Sequence, residues 1–588
     1  MLPVLGLLKH RELWFRAFGC YKPAAQYRYK IVSGLPPYHG SQYIGHLDHE
    51  RYRLVTLADT MDAMENITHP AFAGEGLPVP SVAVLLYNKA ISHPTLLFAT
   101  FLLATILITR LISSIPKSAR DTTSAVPVPS VPYHLPLLGH LPSMSWDPTA
   151  FTRHLRSRYH AQGAYSLNFG GSVHNILFHP SYATALLNTK DANAEANNVF
   201  KLVMGRVFGY PMHDPRMEKV YDGMLDGVNG LYRFFSEREA LGEMVERTVL
   251  KTREGVRDFV TGSGSLVDQM LWERAADAKV KVDGDGEQVV EADLMKLVRD
   301  FCALNANPSI IGSDFVNNFP GFFEELWTMD AGFLFLASGM PRWVPLPALT
   351  RAHIARRNAL RMLEEFEVAM DKWAAGEDPG HEWRDLDDVG PVVKGRVKIY
   401  REHGCSMKAR ASLELALMWA ANANSNLLVF WMLERIFADK QLLAMVREEV
   451  APFVRVVQPK QEFPVPEAPR LESVDMQGLT EQCPLLKSCY IESLRVDTAS
   501  WSLKVVNQDF ELRPRDKEVQ ALLLRKGEYV HVAHDLHNTD PNAFENPDVW
   551  KADRHVKYSE DGKMLGADLG TIRPYGRHLS LPIPFANP

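Results

Sequence analysis

The sequence predicts a mainly α-helical fold with small β-sheets, preceded by one transmembrane helix. Three observations carry this. Helical periodicity dominates from about residue 220 to 440, broken at Gly/Pro points such as Asn307-Pro308. Strand signals are few and short. Residues 90–109 contain no Asp, Glu, Lys or Arg, and a bilayer core of roughly 30 Å calls for a helix of about 20 such residues.

A chain of 588 residues with 46% apolar content can bury a large core. Lys and Arg total 64 against 70 Asp and Glu, a net charge of -6, so the composition gives no electrostatic footprint for nucleic acid. The five cysteines are scattered without the spacings of a zinc site or a disulfide framework. They fit a reducing compartment, and no metal-ligating cluster is expected.

Taken in order, residues 1–89 show no sustained period and receive no role. Residues 90–112 form the span. Arg110, Lys117 and Arg120 flank its C-terminal end while Lys89 alone lies close on the other side, which places the large C-terminal body in the cytosol. Prolines across 113–142 fix φ and remove amide donors, giving a stiff Pro-rich hinge. Within the body, 143–576, Asp147-Pro148 caps and opens a helix. Residues 165–178 form a hairpin around Gly170-Gly171, and a helix begins near Ser181.

Ala411 to Phe437 is apolar nearly all round and is expected to run as one helix through the interior. Asn422, Asn424, Ser425 and Asn426 interrupt it, which predicts a ligand cavity or an unwound turn, because buried amides need partners. Trp501–Val506 and Tyr529–Ala533 are short strands, with a turn at Lys526-Gly527 before the second.

Glu492-Ser-Leu-Arg495 puts an acid and a guanidinium on one helix face. Further on come Phe544, Pro547, Trp550 and Arg554-His555. A buried Glu is costly unless guanidinium forks satisfy its oxygens, and such a knot locks distant segments together. This order of motifs, with the Pro-rich entry ending Leu-Pro-Leu-Leu-Gly-His-Leu-Pro142, resembles the cytochrome P-450 family over about residues 125 to 576. The resemblance implies that Glu492, Arg495 and Arg554, with His555 beside them, form a structural triad beneath a haem. It also implies that Arg573 meets a haem propionate.

The implied activity is monooxygenation of a lipophilic, sterol-like small molecule at the endoplasmic reticulum membrane, with electrons from NADPH through a cytochrome reductase. Asn424 and Ser425 fall where the family usually has an acid and Thr, which deliver protons to bound oxygen. The Asn-containing stretch is similar to the branch of sterol 7-alpha-hydroxylases and prostacyclin synthase. A peroxide-using isomerase or dehydratase therefore stays open, as does a non-enzymatic binding protein. After Gly576, where the family continues to its thiolate Cys, the sequence reads Arg577-His578 and a Pro-rich tail over 577–588. The expectation is a fold without its closing helix and strands, without the axial Cys, and without the activity that this ligand supports. The abrupt break at Gly576 points to an erroneous gene model, in which the terminal residues are translated from an intron or a shifted frame.

Overall fold

A largely apolar run gives α1 (Pro94–Ser114), the first helix among the described residues, in a computed structural model that describes residues 28–32, 94–115, 125–235, 237–459 and 469–572. Its side chains are described continuously from Phe98, and Phe98, Phe101, Leu107, Leu111 and Ile112 are exposed. Among the described residues, no helix is long and apolar enough to cross a membrane. Ser113 donates to the Tyr133 carbonyl and accepts from its N–H, both at 3.0 Å, tying the end of α1 to the Pro-rich segment. From Val126 onward that segment is woven into the body, since Val126–Pro127 pairs in parallel with Leu522–Leu523.

The chain divides into two compact units, residues 34–108 and residues 1–33 with 109–588. In the larger unit, Asp147 caps α2 (Pro148–Arg158) by accepting from Ala150 N. Strands β1 (Ala164–Phe169) and β2 (Ser172–Leu177) form the expected antiparallel hairpin. Gly170 and Gly171 turn at φ +61° and +89°, a conformation that costs glycine little. Helix α3 (Pro180–Leu187) and the short strand β3 (Ala194–Glu195) follow. A strand at Arg28–Val32, in the region without a sequence assignment, pairs antiparallel with Gln288–Asp293.

The central body is helical: α4 (Leu294–Ala306), α5 (Pro347–Ala375), α6 (Pro391–Glu402), α7 (Met407–Asn422), α8 (Ser425–Ala438) and α9 (Lys440–Val450). Helix α5 buries Leu349, Ala352, Ala359, Leu363, Phe366 and Met370, a helical stripe whose largest members each contribute about 1.5–3 kcal/mol. Phe366 packs edge-on to Phe315 at 5.4 Å.

Helix α10 (Pro484–Asp497) precedes strands β4 (Trp501–Val506) and β5 (Tyr529–Ala533). These join the hairpin in one sheet of order β1-β2-β5-β4-β3. β5 pairs antiparallel with β4 and in parallel with β2, His531 opposite Ile176. The architecture is mainly helical with small sheets, as the sequence predicts.

Candidate functional site: a buried carboxylate clamp and a broken helix

Helix α10 begins at Pro484, whose missing N–H costs nothing in a first turn. Its free amides at Leu485 and Leu486 each donate to the Glu449 carboxylate of α9 at 2.8 Å, an anion placed at a helix N-terminus. Three residues apart on this anchored helix, Glu492 and Arg495 are both fully buried.

Arg495 Nε and Nη2 donate to the two oxygens of Glu492 at 2.8 and 2.7 Å. Arg554 Nε adds a bond of 2.9 Å and the Lys551 N–H one of 3.1 Å. Both of these fall on Oε1, and His555 Nε2 lies 3.0 Å from Oε2; an ionised carboxylate only accepts, so this nitrogen carries the proton. Burial alone raises the Glu492 pKa, but hydrogen bonds from Arg495, His555 and Arg554, together with the Arg495 charge, overcome it and hold the carboxyl at about 2.

The outer ends of the guanidinium groups fasten the loop that follows. Arg495 Nη1 donates to the carbonyls of Asn538 and Pro547 at 2.8 and 2.7 Å, and Arg554 Nη1 to that of Glu545 at 2.6 Å. The structure thus brings Glu492, Arg495 and Arg554 together as the sequence predicts, with one difference. Only Arg495 presents a two-pronged fork to the acid; the other acceptor sites are filled by one Arg554 nitrogen, His555 and a backbone amide. Arg435 of α8 pairs with Asp497 through two bonds, one of 2.8 Å, joining α8 to α10.

The polar interruption of the central helix is an unwound turn, so the single helix expected over Ala411–Phe437 is two, α7 and α8. Asn422 is buried and exchanges two bonds with Asn307, which follows α4, at 2.8 and 2.9 Å. Asn426 adds a bond of 3.2 Å to the Asn422 oxygen. These amides satisfy one another and bind neighbouring helices. Asn424 and Ser425, at the turn itself, are exposed, and Ser425 Oγ donates to the Ala421 carbonyl at 2.7 Å.

No family model matches the chain. It is similar to a cytochrome P450 monooxygenase of Gibberella zeae, 23% identical over 43% of this chain and 44% of that protein. It is also 23% identical to the cytochrome P450 monooxygenase efuG of Hormonema carpetanum, over 72% of this chain and 68% of efuG. Likeness to the 25-hydroxycholesterol 7-alpha-hydroxylase of Rattus norvegicus reaches 26%, over 47% of this chain and 63% of the enzyme.

The chain is similar to cytochrome P450 enzymes. It spans about half the length of the first of these relatives and about two thirds of the other two. The thiolate donor that a P450 haem implies does not fit any described cysteine. Burial pushes the thiols of Cys302, Cys405 and Cys489 up to about 12 and that of Cys483 to about 11, which keeps them protonated. Cys483 lies 3.6 Å from the Glu449 carbonyl and Cys489 3.9 Å from that of Ala552, contacts internal to the helix packing. No cluster of three or more His, Cys, Asp or Glu that could hold a metal occurs among the described residues. Arg573, expected at a haem propionate, and His578 lie outside the described residues.

Sequence reasoning missed a second charged network between α5, α6 and α7. Glu414, fully buried in α7, accepts from Arg396 Nε at 2.8 Å and Tyr400 Oη at 2.9 Å. The signal was present as an acid inside the apolar run Leu413-Glu414-Leu415, since a charge on a buried helix face requires a partner.

Proposed function

We propose that this protein is a haem-dependent monooxygenase of the P450 type that oxidises a lipophilic, sterol-like molecule at the endoplasmic reticulum membrane. Its electrons come from NADPH through a cytochrome reductase. The observation that carries this reading is the sealed Glu492–Arg495–Arg554 clamp, with His555 completing it. The names of the relatives supply the chemistry, including hydroxylation of 25-hydroxycholesterol by one of them. When bound, haem would supply oxygen activation, and none of the described thiols suits it as a thiolate donor.

In this reading the clamp positions α10 and the loop after it as a rigid floor. Asn424 and Ser425 at the broken helix face the substrate, with Ser425 keeping lone pairs free to accept from water. Arg573 meets a propionate. The uncharged run over residues 90–109 anchors the body as a single span.

The test is oxygen incorporation. A homologous chain that carries the thiolate Cys after the position of Gly576, expressed in microsomes with haem and given reductase, NADPH and isotopic dioxygen, is expected to add one labelled oxygen atom to a sterol from a panel; this chain, in which no described thiol suits the haem, is expected to add none. Haem-loaded protein that gives only unlabelled, rearranged product without reductase overturns the monooxygenase reading.

A further inference from the structure

A cavity of about 670 Å³ opens between the first half of α5, the turn at Gly209 and the start of α7. Arg342, Arg356, Arg357, Arg361 and Lys408 line it, against a single carboxylate, Glu364. Like charges in one concavity repel, and low-dielectric walls concentrate their field. Three arginines elsewhere in this body are matched: Arg396 with Glu414, Arg410 with Asp371 and Arg435 with Asp497. Among the described residues, Arg342, Arg357, Arg361 and Lys408 have no ion-pair partner.

The remaining polar groups of the cavity are also donors. Arg356 is buried, with Nη1 held by the carbonyls of Arg206 and Val207 at 2.6 and 3.2 Å and Nη2 3.2 Å from His353 Nδ1. A guanidinium only donates, so Nδ1 accepts and Nε2 of His353 carries the hydrogen. That Nε2 is buried with no hydrogen-bond partner. Burial, then the charges of Arg356 and Arg342, lower the His353 pKa to about 4, so the ring is neutral and its Nε2–H is a fixed donor. Trp343, next to Arg342 in the sequence, is 74% exposed, and Ile354, which lines the cavity, is 45% exposed.

We propose that this cavity binds a phosphate-bearing anion, gripped by Arg357, Arg361 and Lys408 and oriented by Arg356 and His353. A phosphate offers more than one negative charge and three acceptor oxygens, which suits several convergent donors better than a lone carboxylate does. The volume lies within the range of about 300–1,000 Å³ that holds a small molecule rather than a bare ion. The chemistry is shared by a phospholipid headgroup and a soluble phosphoester. The site is separate from the oxidative clamp and does not depend on that reading.

Two probes separate the sources: calorimetric titration of the full chain in detergent with inorganic pyrophosphate, and flotation with phosphatidylcholine vesicles with or without about one-fifth phosphatidylserine. Replacing Arg357→Gln and Arg361→Gln together is expected to weaken pyrophosphate binding roughly tenfold or more, while Arg→Lys at both sites restores most of it. Thermal unfolding of the unliganded double variant should not fall, because only unmatched exposed charges are removed. Extra retention on acidic vesicles that pyrophosphate displaces assigns the site to headgroups; pyrophosphate binding without such retention assigns it to a soluble phosphoester. If neither probe distinguishes the Gln double variant from the wild type, the proposal fails.

Discussion

Glu492 and Glu367 are both fully buried with arginines close by, yet only one has its oxygens satisfied. Around Glu492, hydrogen bonds from Arg495, Arg554, His555 and the Lys551 amide meet the carboxylate. Around Glu367 of α5, the nearest cation, Arg410 Nη1, stands 3.9 Å away. That guanidinium is directed instead to Asp371 at 2.8 Å and to the Cys405 carbonyl at 3.0 Å. Neither Glu367 oxygen has a hydrogen-bond partner. Burial, with the negative charge of Glu414 next, raises its pKa well above the usual carboxylate range. The number of donors aimed at the oxygens, not the number of cations nearby, decides whether a sunken acid stays ionised.

The largest effect is expected at the satisfied acid. Glu492→Gln strands Arg495 and Arg554 without their counter-ion and should cost about 3–5 kcal/mol in urea unfolding. The folded pKa of Glu492 is held at about 2, below its ordinary 4.5. Its contribution is therefore complete above 4.5 and is lost as the pH falls from there towards 2. Wild-type protein should lose stability through that window more steeply than Glu492→Gln. Equal acid limbs would show that the clamp does not hold the charge.

An intermediate effect is expected at the amide pair between α4 and α7. Asn307→Ala or Asn422→Ala leaves a buried amide unmet, a loss of about 1–3 kcal/mol. In a double-mutant cycle the combined change should fall short of the sum by roughly 0.5–3 kcal/mol. Full additivity would mean that the pair is not coupled.

The smallest change should follow Glu367→Gln. With a folded pKa raised above the ordinary value, Glu367 favours the native state least at high pH, because the unfolded chain has released a proton that the native one retains. The amide should be nearly neutral at about pH 5 and stabilising by on the order of 1 kcal/mol at about pH 8. A loss as large as that of Glu492→Gln would erase the distinction between the two acids.

Local signals were legible in the sequence where the partner was local. Asp147-Pro148 and Gly170-Gly171 each act within a few residues, and each stands where its chemistry predicts. Glu492, Arg495 and Arg554 were legible because their order matches a family pattern, but the contributions of His555 and Lys551 N were not fully specified by it. The partner of Asn422 was not legible: Asn307, 115 residues away, reads as a simple helix stop before Pro308. The Glu414–Arg396 contact likewise depends on how α6 lies against α7, which no spacing encodes. The five-stranded sheet was only partly visible, since the parallel pairing of β2 with β5 leaves no mark on either strand.

That parallel pairing has a consequence for biosynthesis. His174 and His531, side by side in the finished sheet, are 357 residues apart. At a ribosomal pace of about 5–20 residues per second, β2 emerges roughly 20–70 s before the strand that covers its open edge. Through that interval the nascent hairpin presents bare amides and carbonyls. A chaperone that shields strand edges on the nascent chain should therefore raise the yield of native protein more than one that acts only after release.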